Sequence, residues 1–252
     1  MEPTRGVALV TGGARRIGRA IVLRLAASGW AVAIHHHRSA SEAQRLEDEI
    51  AETGGRATCV SGDLVEEGVA AHLLREASHL GAVTLLVNNA SCFEPDEMGK
   101  LAPAGWDRHL DCNLKAPVFL SQAFAAALPE NTSGNIVNVI DQRVLKPNPR
   151  FFSYSVSKAG LWWATRTMAQ ALGPRIRVNA IAPGPAMASK RMGEADFRAQ
   201  AEATLLKRGT NGEEIAAALL FILATPSMTG QMITLDGGQH LLWQTPDLEG
   251  AE

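Results

Sequence analysis

The chain has 252 residues, and its 24 lysines and arginines nearly balance its 26 aspartates and glutamates, giving a formal net charge of -2. This length suits one large α/β domain, which would bury about three quarters of the surface that the unfolded chain exposes. Because the net charge is so small, neither nucleic acid nor an anionic membrane is indicated as a partner, and a small-molecule substrate is favoured.

The first predicted strand begins at Val7, so the N-terminus offers no room for the apolar region and cleavage site of a signal peptide. No later stretch is apolar for the roughly 18 residues that a membrane span needs. The three cysteines, Cys59, Cys92 and Cys112, are odd in number and lack CxxC spacing, which indicates neither a disulfide framework nor a zinc site. We therefore expect a cytoplasmic protein.

Short apolar runs rich in β-branched residues alternate with longer helical stretches along the whole chain. This alternation predicts an α/β Rossmann fold: a seven-stranded, doubly wound parallel sheet with helices on both faces, in a single domain over residues 1–252. The predicted strands are Val7–Val10, Ala31–His35, Ala57–Val60, Thr84–Val87, Asn135–Ile140, Arg177–Ile181 and Met232–Leu235.

The helices between these strands are predicted from apolar periodicity and from capping residues. In the first helix, Ile17, Ile21 and Leu25 recur at four-residue steps and would lie on the sheet. Residues 185–208 favour a helix but are poorly periodic, and we predict that they form a mobile lid over the site. The other predicted helices are Ser41–Ala51, Glu66–Leu80, a long helix over 107–128, a helix over 154–172 and one that begins at an Asn211 cap.

A glycine-rich turn, Thr11-Gly-Gly-Ala-Arg-Arg-Ile-Gly18, follows the first strand and opens the first helix. At this position the pyrophosphate of a dinucleotide would lie on free backbone N–H groups, and glycine lets the backbone approach phosphate. We therefore predict that Gly12, Arg16, Ile17 and Gly18 contact a dinucleotide cofactor.

The end of the second strand indicates which dinucleotide is bound. An NAD enzyme would place Asp or Glu there for the ribose 2′-hydroxyl, but this chain has His35-His36-His37-Arg38-Ser39 instead. His37, Arg38 and Ser39 can hydrogen-bond a 2′-phosphate, whereas a carboxylate would repel it. The cofactor is therefore predicted to be NADP(H).

Two further interpretations concern the neighbourhood of these histidines. A metal site is disfavoured because His35 and His37 would point away from His36 on a strand, and no third ligand is evident. Asp63 and Leu64, at the end of the third strand, could hold the adenine, although Asp63 could equally be a helix cap.

The only tyrosine, Tyr154, stands four residues before Lys158 and thirteen after Asp141. On a helix the four-residue step places the phenol and the ammonium on one face. A nearby cation favours the ionised phenol and would lower its pKa from about 10, so the pair could transfer a proton. Taken alone, the spacing is also compatible with an exposed tyrosine and lysine of no catalytic importance.

Several motifs, in this order and spacing, resemble the short-chain dehydrogenase/reductase family over nearly the whole chain. That resemblance implies a catalytic set of Asn113, Tyr154 and Lys158, with Lys158 also bonding the nicotinamide ribose, and cofactor contacts from Asn89, Ala90, Pro183 and Gly184. It further implies that Asn113 kinks its helix and holds a water that links Lys158 to solvent. The motifs are the turn at Thr11, Asn88-Asn89-Ala90, Asn113, Tyr154-Ser-Val-Ser-Lys158, Arg177-Val-Asn179, Pro183-Gly184 and Asp236-Gly237-Gly238.

Within the family, three departures are similar to the pteridine reductases and the bacterial dihydromonapterin and dihydrofolate reductases related to them. Arg16 replaces a glycine of the turn, Asp141 replaces the usual serine, and Ser91-Cys92-Phe93 follows Asn-Asn-Ala in place of glycine. The resemblance implies NADPH-dependent reduction of a pterin, usually by a homotetramer. Arg16 would then reach cofactor phosphate and pterin, Ser91 either of them, and Phe93 would stack on the pterin opposite the nicotinamide.

A carboxylate at position 141 suits a pterin, whose amino and N–H groups are donors, and a protonated carboxyl can also donate. Asp141 is therefore predicted to relay a proton with Tyr154, or else to be a non-catalytic anchor or a sign of lost activity. The alternatives are a carbonyl or alcohol oxidoreductase of the 3-oxoacyl or sugar-alcohol type, and a non-catalytic NADP-sensing protein. The sequence leaves open which pterin is reduced and in which direction the reaction runs.

Overall fold

The computed structural model describes residues 6–187 and 193–243, and it contains one seven-stranded parallel sheet. The strand order is β3-β2-β1-β4-β5-β6-β7, with every neighbouring pair parallel. This doubly wound order confirms the predicted fold. The strands are β1 (Val7–Val10), β2 (Ala31–His36), β3 (Arg56–Ser61), β4 (Val83–Asn88), β5 (Gly134–Val139), β6 (Ile176–Pro183) and β7 (Met232–Leu235).

Helices cover both faces of the sheet, and each face encloses its own apolar core. On one face, Ile21 and Leu25 of α1 are fully buried together with Ile215 and Leu219 of α8. On the other face, Leu73 of α3 and Phe124 of α5 pack against the central strands. The helices are α1 (Arg16–Ala27), α2 (Ala40–Glu52), α3 (Val69–Ser78), α4 (Pro103–Leu110), α5 (Ala116–Ala127), α6 (Phe152–Leu172), α7 (Glu194–Glu202) and α8 (Gly212–Ala224).

The prediction of one long helix over 107–128 is wrong in one respect, because the helix in the structure is interrupted. A π-helical turn, Asp111–Lys115, separates α4 from α5 and contains the buried Asn113. A π-turn inserts one extra residue into the helix, and such turns frequently mark functional sites. The interruption agrees with the kink that the family resemblance implies at Asn113.

The helix predicted over 66–80 begins later, at Val69, because Gly68 adopts a left-handed conformation with φ 78° that ends the preceding loop. The Asn211 cap is confirmed, since its side chain accepts a hydrogen bond of 2.9 Å from the Glu214 N–H. Within the described ranges, no helix combines the length and apolar character that a membrane crossing requires.

Candidate active site

The carboxyl ends of β1, β2 and β4 open into a cleft of about 750 Å³. In an open parallel sheet, ligands bind at this edge, where the strand order reverses next to β1. The predicted cofactor residues that line it are Gly12, Arg16, Ile17, Gly18, His37, Arg38, Ser39, Asp63, Leu64, Asn89, Ala90 and Ser91.

The glycine turn is crowded at Gly12 and Gly18, where a side chain does not fit. Gly12 has φ 60°, in the left-handed region that favours glycine, and a Cβ atom there would lie 3.1 Å from the Ala90 Cα. A Cβ at Gly18 would lie 2.1 Å from the Gly12 carbonyl oxygen. Asn89 braces this turn, because its side-chain amide donates to the carbonyls of Thr11 (2.9 Å) and Gly12 (3.1 Å). Asn89 therefore shapes the cofactor cleft through the backbone.

Arg16 occupies the turn position where the family usually has glycine, and it too adopts a left-handed conformation, with φ 53°. For a residue with a side chain this conformation is strained, and such strain is concentrated at functional sites. The side chain is exposed at the mouth of the cleft, where its Nη2 donates to the carbonyl of Met187 at 3.2 Å. Arg16 thus connects the phosphate-binding turn with the start of the predicted lid.

His35 is a structural brace beneath the turn. Its Nδ1 accepts the Gly12 N–H at 3.0 Å, so its Nε2 carries the proton and donates to the Gly62 carbonyl at 3.1 Å. Burial lowers the pKa of His35 to about 4, so the ring is neutral. Both nitrogens are thereby engaged, which leaves His35 no lone pair for a metal, and among the described residues no group of three potential metal ligands occurs.

His37 and Arg38 are exposed on the cleft wall, and Ser39 immediately precedes α2. The positive end of the α2 dipole therefore lies beside two basic side chains, as a 2′-phosphate requires. Asp63 is not the cap of α3, since that helix begins six residues later; its carboxylate lies 3.7 Å from the His37 Nδ1. The predicted phosphate-binding residues are thus brought together.

These features fit an NADP-type dinucleotide. The cleft contains a crowded glycine turn at the start of a helix and basic groups at the end of β2. Its wall also contains a buried polar atom, His36 Nδ1, that has no hydrogen-bond partner among the described residues. Such an atom is costly to leave unpaired unless a ligand or water satisfies it.

The catalytic candidates meet just beyond this cleft. Asp141 follows β5, and Tyr154 and Lys158 lie one helical turn apart near the start of α6, where both are buried. The Tyr154 hydroxyl donates to Asp141 Oδ2 at 2.8 Å. The Lys158 Nζ donates to the Val139 carbonyl at 2.9 Å and lies 5.8 Å from the centre of the Tyr154 ring.

The expectation that Lys158 lowers the phenol pKa is wrong for this arrangement. Burial and the neighbouring Asp141 raise the pKa of Tyr154 well above its usual value, because both disfavour a phenolate. Burial also lowers the pKa of Lys158 to about 8. Tyr154 is therefore a neutral phenol that holds its proton, and its bond to Asp141 fixes where that proton points.

Arg143 is a member of this group that sequence reasoning missed. Its Nη1 donates to Asp141 Oδ2 at 3.0 Å, and its backbone N–H donates to Asp141 Oδ1 at 2.8 Å. Its Nε is buried and lacks a hydrogen-bond partner among the residues described. A usable signal existed, because an aspartate side chain often accepts the backbone N–H two residues on, and Asp141 caps the 3₁₀ turn Gln142–Val144 in this way.

Phe93 lies beside the phenol, as expected for a residue that contacts the substrate, but it does not stand alone. Its ring stacks on Phe151 with centroids 4.5 Å apart, and it meets Tyr154 edge-on at 4.7 Å. The Arg143 guanidinium lies 5.3 Å from the Phe93 centroid and 5.0 Å from that of Phe151. Phe93 is still 41% exposed, so a flat ring can reach it. Phe151 carries no sequence motif that would have indicated this position.

Hydrogen bonds between the segment around Asp96 and the start of α6 explain how Phe93 and Phe151 come into contact. Asp96 pairs with the chain around Phe151 through a backbone bridge, and its carboxylate accepts bonds from the N–H and hydroxyl of Ser153. His109 accepts the Glu94 N–H at Nε2 and donates from Nδ1 to the Ser153 hydroxyl at 2.6 Å. The segment after Ser91 is thereby fastened to the start of α6.

Asn113 and Ser91 form a second contact between these segments. The Asn113 amide accepts the Cys92 N–H (2.8 Å) and the Ser91 hydroxyl (3.1 Å), and it donates to the Cys92 carbonyl (2.9 Å) and the Ser157 hydroxyl (3.1 Å). Its side chain is thus fully used in positioning. Any link from Asn113 through water to Lys158 would have to use its backbone carbonyl, and this link stays a prediction.

Pro183 and Gly184 lie at the end of β6 but are not among the residues that line the cleft. Gly184 packs so closely on Asp236 that a Cβ would lie 2.6 Å from the Asp236 Cβ. Of the predicted lid, residues 188–192 lie outside the described residues, and α7 occupies part of the remainder. The lid is fastened after α7, since the Leu206 N–H donates to the Gly237 carbonyl at 2.9 Å.

Comparison with known proteins agrees with this geometry. The short chain dehydrogenase family model matches residues 6–198. The granaticin polyketide synthase putative ketoacyl reductase 2 of Streptomyces violaceoruber is 32% identical over 95% of this chain and 98% of its own length. The 3-oxoacyl-[acyl-carrier-protein] reductase of Synechocystis sp. is 30% identical over 93% of this chain and 97% of its own length.

Among solved structures, the FolM alternative dihydrofolate reductase 1 of Brucella canis, complexed with NADP, is 51% identical to this chain. It superposes with a TM-score of 0.94 and covers 97% of this chain and 98% of its own. A short-chain dehydrogenase/reductase of Serratia marcescens is 31% identical, with a TM-score of 0.88, over 94% of this chain and 98% of its own.

Proposed function

Since the chain belongs to the short-chain dehydrogenase/reductase family, we propose that it is an NADPH-dependent reductase of the C=N bond of a dihydropterin, such as dihydromonapterin or dihydrofolate. The observation that carries this proposal is the carboxylate of Asp141, which lies 2.8 Å from the catalytic phenol in the position where carbonyl-reducing relatives have serine. The 51% identity to an alternative dihydrofolate reductase supports the same substrate class.

The cofactor would be held by the glycine turn, by His37 and Arg38 at its 2′-phosphate, and by Lys158 at its nicotinamide ribose. When bound, NADPH supplies the hydride that is added to carbon. Asn89 holds the turn in shape, and Ser91 lies where cofactor and substrate would meet. The NADP complex of the Brucella relative supports this choice of cofactor.

The residues around Asp141 supply the proton for the ring nitrogen. Tyr154 holds a proton at a hydroxyl whose raised pKa keeps it attached, and Asp141 accepts the hydrogen bond from that hydroxyl. When the nitrogen gains electron density, the phenol proton is donated to it, directly or by way of the Asp141 carboxyl. General acid catalysis of this kind contributes about 10²–10⁴ in rate.

The aromatic pair and Arg143 position the substrate ring. Phe93 is 41% exposed and would offer a stacking surface, and an aromatic stack is worth about 0.5–1.5 kcal/mol beyond burial. The unpartnered Nε of Arg143 is a donor for a ring oxygen or nitrogen, while its Nη1 holds Asp141 in place. Arg16 closes the same volume from the cleft mouth.

The second candidate is a 3-oxoacyl reductase, which the ketoacyl and 3-oxoacyl reductases at 30–32% identity favour. Asn113, Tyr154 and Lys158 would serve that reaction equally well. It gives no role to the Asp141–Arg143 pair or to the stacked phenylalanines, and for that reason we place it second.

The test is an assay of NADPH oxidation with dihydrobiopterin, dihydromonapterin, dihydrofolate and an acetoacetyl thioester at matched concentrations. The proposal expects the pterins and folate to have the higher kcat/KM values. A preference for the thioester would instead establish the 3-oxoacyl reductase. If none of the four compounds is turned over, the result would favour a non-catalytic NADP-sensing role.

We also infer a cytoplasmic homotetramer. The support for assembly is a set of large apolar side chains exposed on α5 and α6, namely Phe119 (53%), Val156 (38%) and Trp163 (64%). Where such side chains form one continuous patch, they mark an association site. Light scattering coupled to gel filtration checks the inference, and a mass of 26.8 kDa, that of one chain, would contradict it.

A further inference from the structure

Two of the three cysteines lie together in the wall of the cofactor cleft. Cys92 follows β4 and Cys112 lies in the π-helical turn, yet both line the cleft, as does Arg108. The backbone of Cys92 is joined to Asn113, the residue after Cys112, by hydrogen bonds of 2.8 Å and 2.9 Å. The two thiols shift each other's pKa in opposite directions, which requires them to be neighbours. The two thiols are therefore partners across two separate chain segments.

We propose that Cys92 and Cys112 form a redox-modification site at which a hydroperoxide converts the thiol pair to a reversible disulfide and so switches the enzyme off. Cysteine pairs with an accessible nucleophile and a resolving thiol beside it are typical of redox sensors. This inference goes beyond the proposed function and does not depend on which substrate is reduced.

Cys92 is the nucleophile of the pair. The neighbouring Cys112 thiol and the positive Arg108 guanidinium lower the pKa of the Cys92 thiol. The same contact and burial raise the pKa of Cys112, which therefore keeps its proton. The thiolate is the reactive form of cysteine, so Cys92 reacts first and Cys112 second.

The chemistry balances with hydrogen peroxide as the oxidant. The Cys92 thiolate attacks one peroxide oxygen, so an S–O bond forms, the O–O bond breaks and hydroxide leaves, giving a sulfenic acid. The Cys112 sulfur then attacks the Cys92 sulfur, so the S–S bond forms and the S–O bond breaks. The departing hydroxide takes the Cys112 proton as water.

A disulfide here would alter the active site because of its neighbours in the chain. Ser91 and Phe93 flank Cys92, and Asn113 follows Cys112. A sulfur–sulfur bond of about 2.05 Å is shorter than any non-bonded contact between two sulfur atoms, so we expect its formation to shift the segments that carry the two cysteines. The hydrogen bonds that position Ser91 and Asn113 change with it.

Cys59 provides a matched control within the same chain. It lies on β3, and burial with a neighbouring Glu47 raises the pKa of its thiol to about 12. It is not among the residues that line the cofactor cleft. Its thiol is therefore expected to react far more slowly with peroxide than Cys92 does.

The test treats the reduced full chain with one equivalent of hydrogen peroxide, blocks the remaining thiols and maps peptides by mass spectrometry. The expected product lacks two hydrogens and contains a Cys92–Cys112 crosslink; NADPH oxidation is lost with it and is regained with dithiothreitol. Cys59→Ser should behave as the parent. Cys112→Ser should stop at a Cys92 sulfenic acid that dimedone traps.

A second experiment repeats the oxidation in the presence of NADP⁺, because a ligand in the cleft would cover both thiols. At about ten times its Kd, NADP⁺ should slow crosslinking about tenfold, since about one chain in ten remains free. This experiment and the activity readout of the first experiment both rest on the proposed cofactor, whereas the crosslink map does not; a calorimetric titration with NADP⁺ shows separately whether cofactor binding has failed. A crosslink to Cys59, oxidation without a crosslink, or a crosslink that leaves activity unchanged would overturn the proposal.

Discussion

The two ends of the active-site region are built in different ways. The cofactor end is made from short contiguous segments, the glycine turn and the residues after β2, and most of its contacts are to backbone. The substrate end is made from single side chains of three segments, Phe93, the Asp141–Arg143 turn and Tyr154, which contact one another directly. The cofactor end therefore identifies the family, and the proposed choice of reaction within the family rests on the substrate end.

This difference also separates what is robust from what is specific. Gly12 and Gly18 leave no space for a larger residue, because an added Cβ atom at either position would collide with backbone. At the substrate end, by contrast, some buried polar atoms, such as Arg143 Nε, have no hydrogen-bond partner among the residues described. Substitutions at the two ends should therefore have distinguishable effects on cofactor binding and on substrate choice.

The largest expected effect follows from Tyr154→Phe. Removing the hydroxyl removes the proton donor and leaves the packing of the ring intact, so turnover should fall by about 10²–10⁴. The dissociation constant for NADPH, measured by fluorescence titration, should change little. Parent-like turnover of a dihydropterin by this variant would exclude the phenol as the proton source.

The next effect comes from Arg143→Met. The methionine side chain fills similar space but cannot bond Asp141 Oδ2, the oxygen that accepts the phenol, and the backbone N–H at Oδ1 would then hold the carboxylate alone. We expect kcat/KM for dihydropterin to fall by up to about 10²-fold, because small displacements of catalytic groups are costly. Cofactor affinity should stay unchanged. Arg143→Lys, which keeps a charge, should recover part of the loss; equal activity of parent and Arg143→Met would contradict the positioning role.

At the cofactor end, Arg38→Asp should act on cofactor choice alone. Loss of a charge-assisted hydrogen bond to the 2′-phosphate is worth about 1.5–3 kcal/mol, or roughly 10- to 100-fold in NADPH affinity. The kcat at saturating NADPH should stay near that of the parent. Steady-state kinetics with NADPH and NADH would show the shift. An unaltered ratio of kcat/KM for NADPH to that for NADH would mean that Arg38 does not bind the 2′-phosphate.

The smallest effect is a pH dependence. The pKa of Lys158 in the folded chain is lowered to about 8, so its charge is present below pH 8 and is lost as the pH rises through that value. Because the pKa of Tyr154 is raised instead, the phenol does not titrate in this range. We expect kcat/KM to fall by about tenfold between pH 7 and 9. The fall should disappear in Lys158→Arg; a fall of equal size in that variant would assign it to another group.

Much of the fold was predictable because it depends on local patterns. Strand and helix alternation and the Asn211 cap are read from neighbouring residues, and the predicted bounds of β1 and β7 match the structure. The π-turn was not predictable in the same way. Its sequence favours an ordinary helix, and its shape depends on bonds from Asn113 to Cys92, which is distant in the chain.

The site shows the same limit. Asp141, Tyr154 and Lys158 could be identified by their spacing, but the direction of the phenol pKa could not, because burial and Asp141 outweigh the lysine. Phe151 was missed because its partner Phe93 is brought to it by the Asp96 and Ser153 bonds, which no local pattern reveals. The pairing of Cys92 with Cys112 was missed for the same reason, because contacts between distant segments bring the two residues together.

The central claim, that the carboxylate at position 141 makes this reductase a pterin enzyme, is tested most directly by Asp141→Ser. The measurement is the ratio of kcat/KM for a dihydropterin to that for an acetoacetyl thioester, in the parent and in the variant. The account predicts a high ratio in the parent and a fall in the variant, with NADPH affinity unchanged, because serine restores the hydroxyl that carbonyl substrates use. A ratio that is the same in both proteins would contradict it.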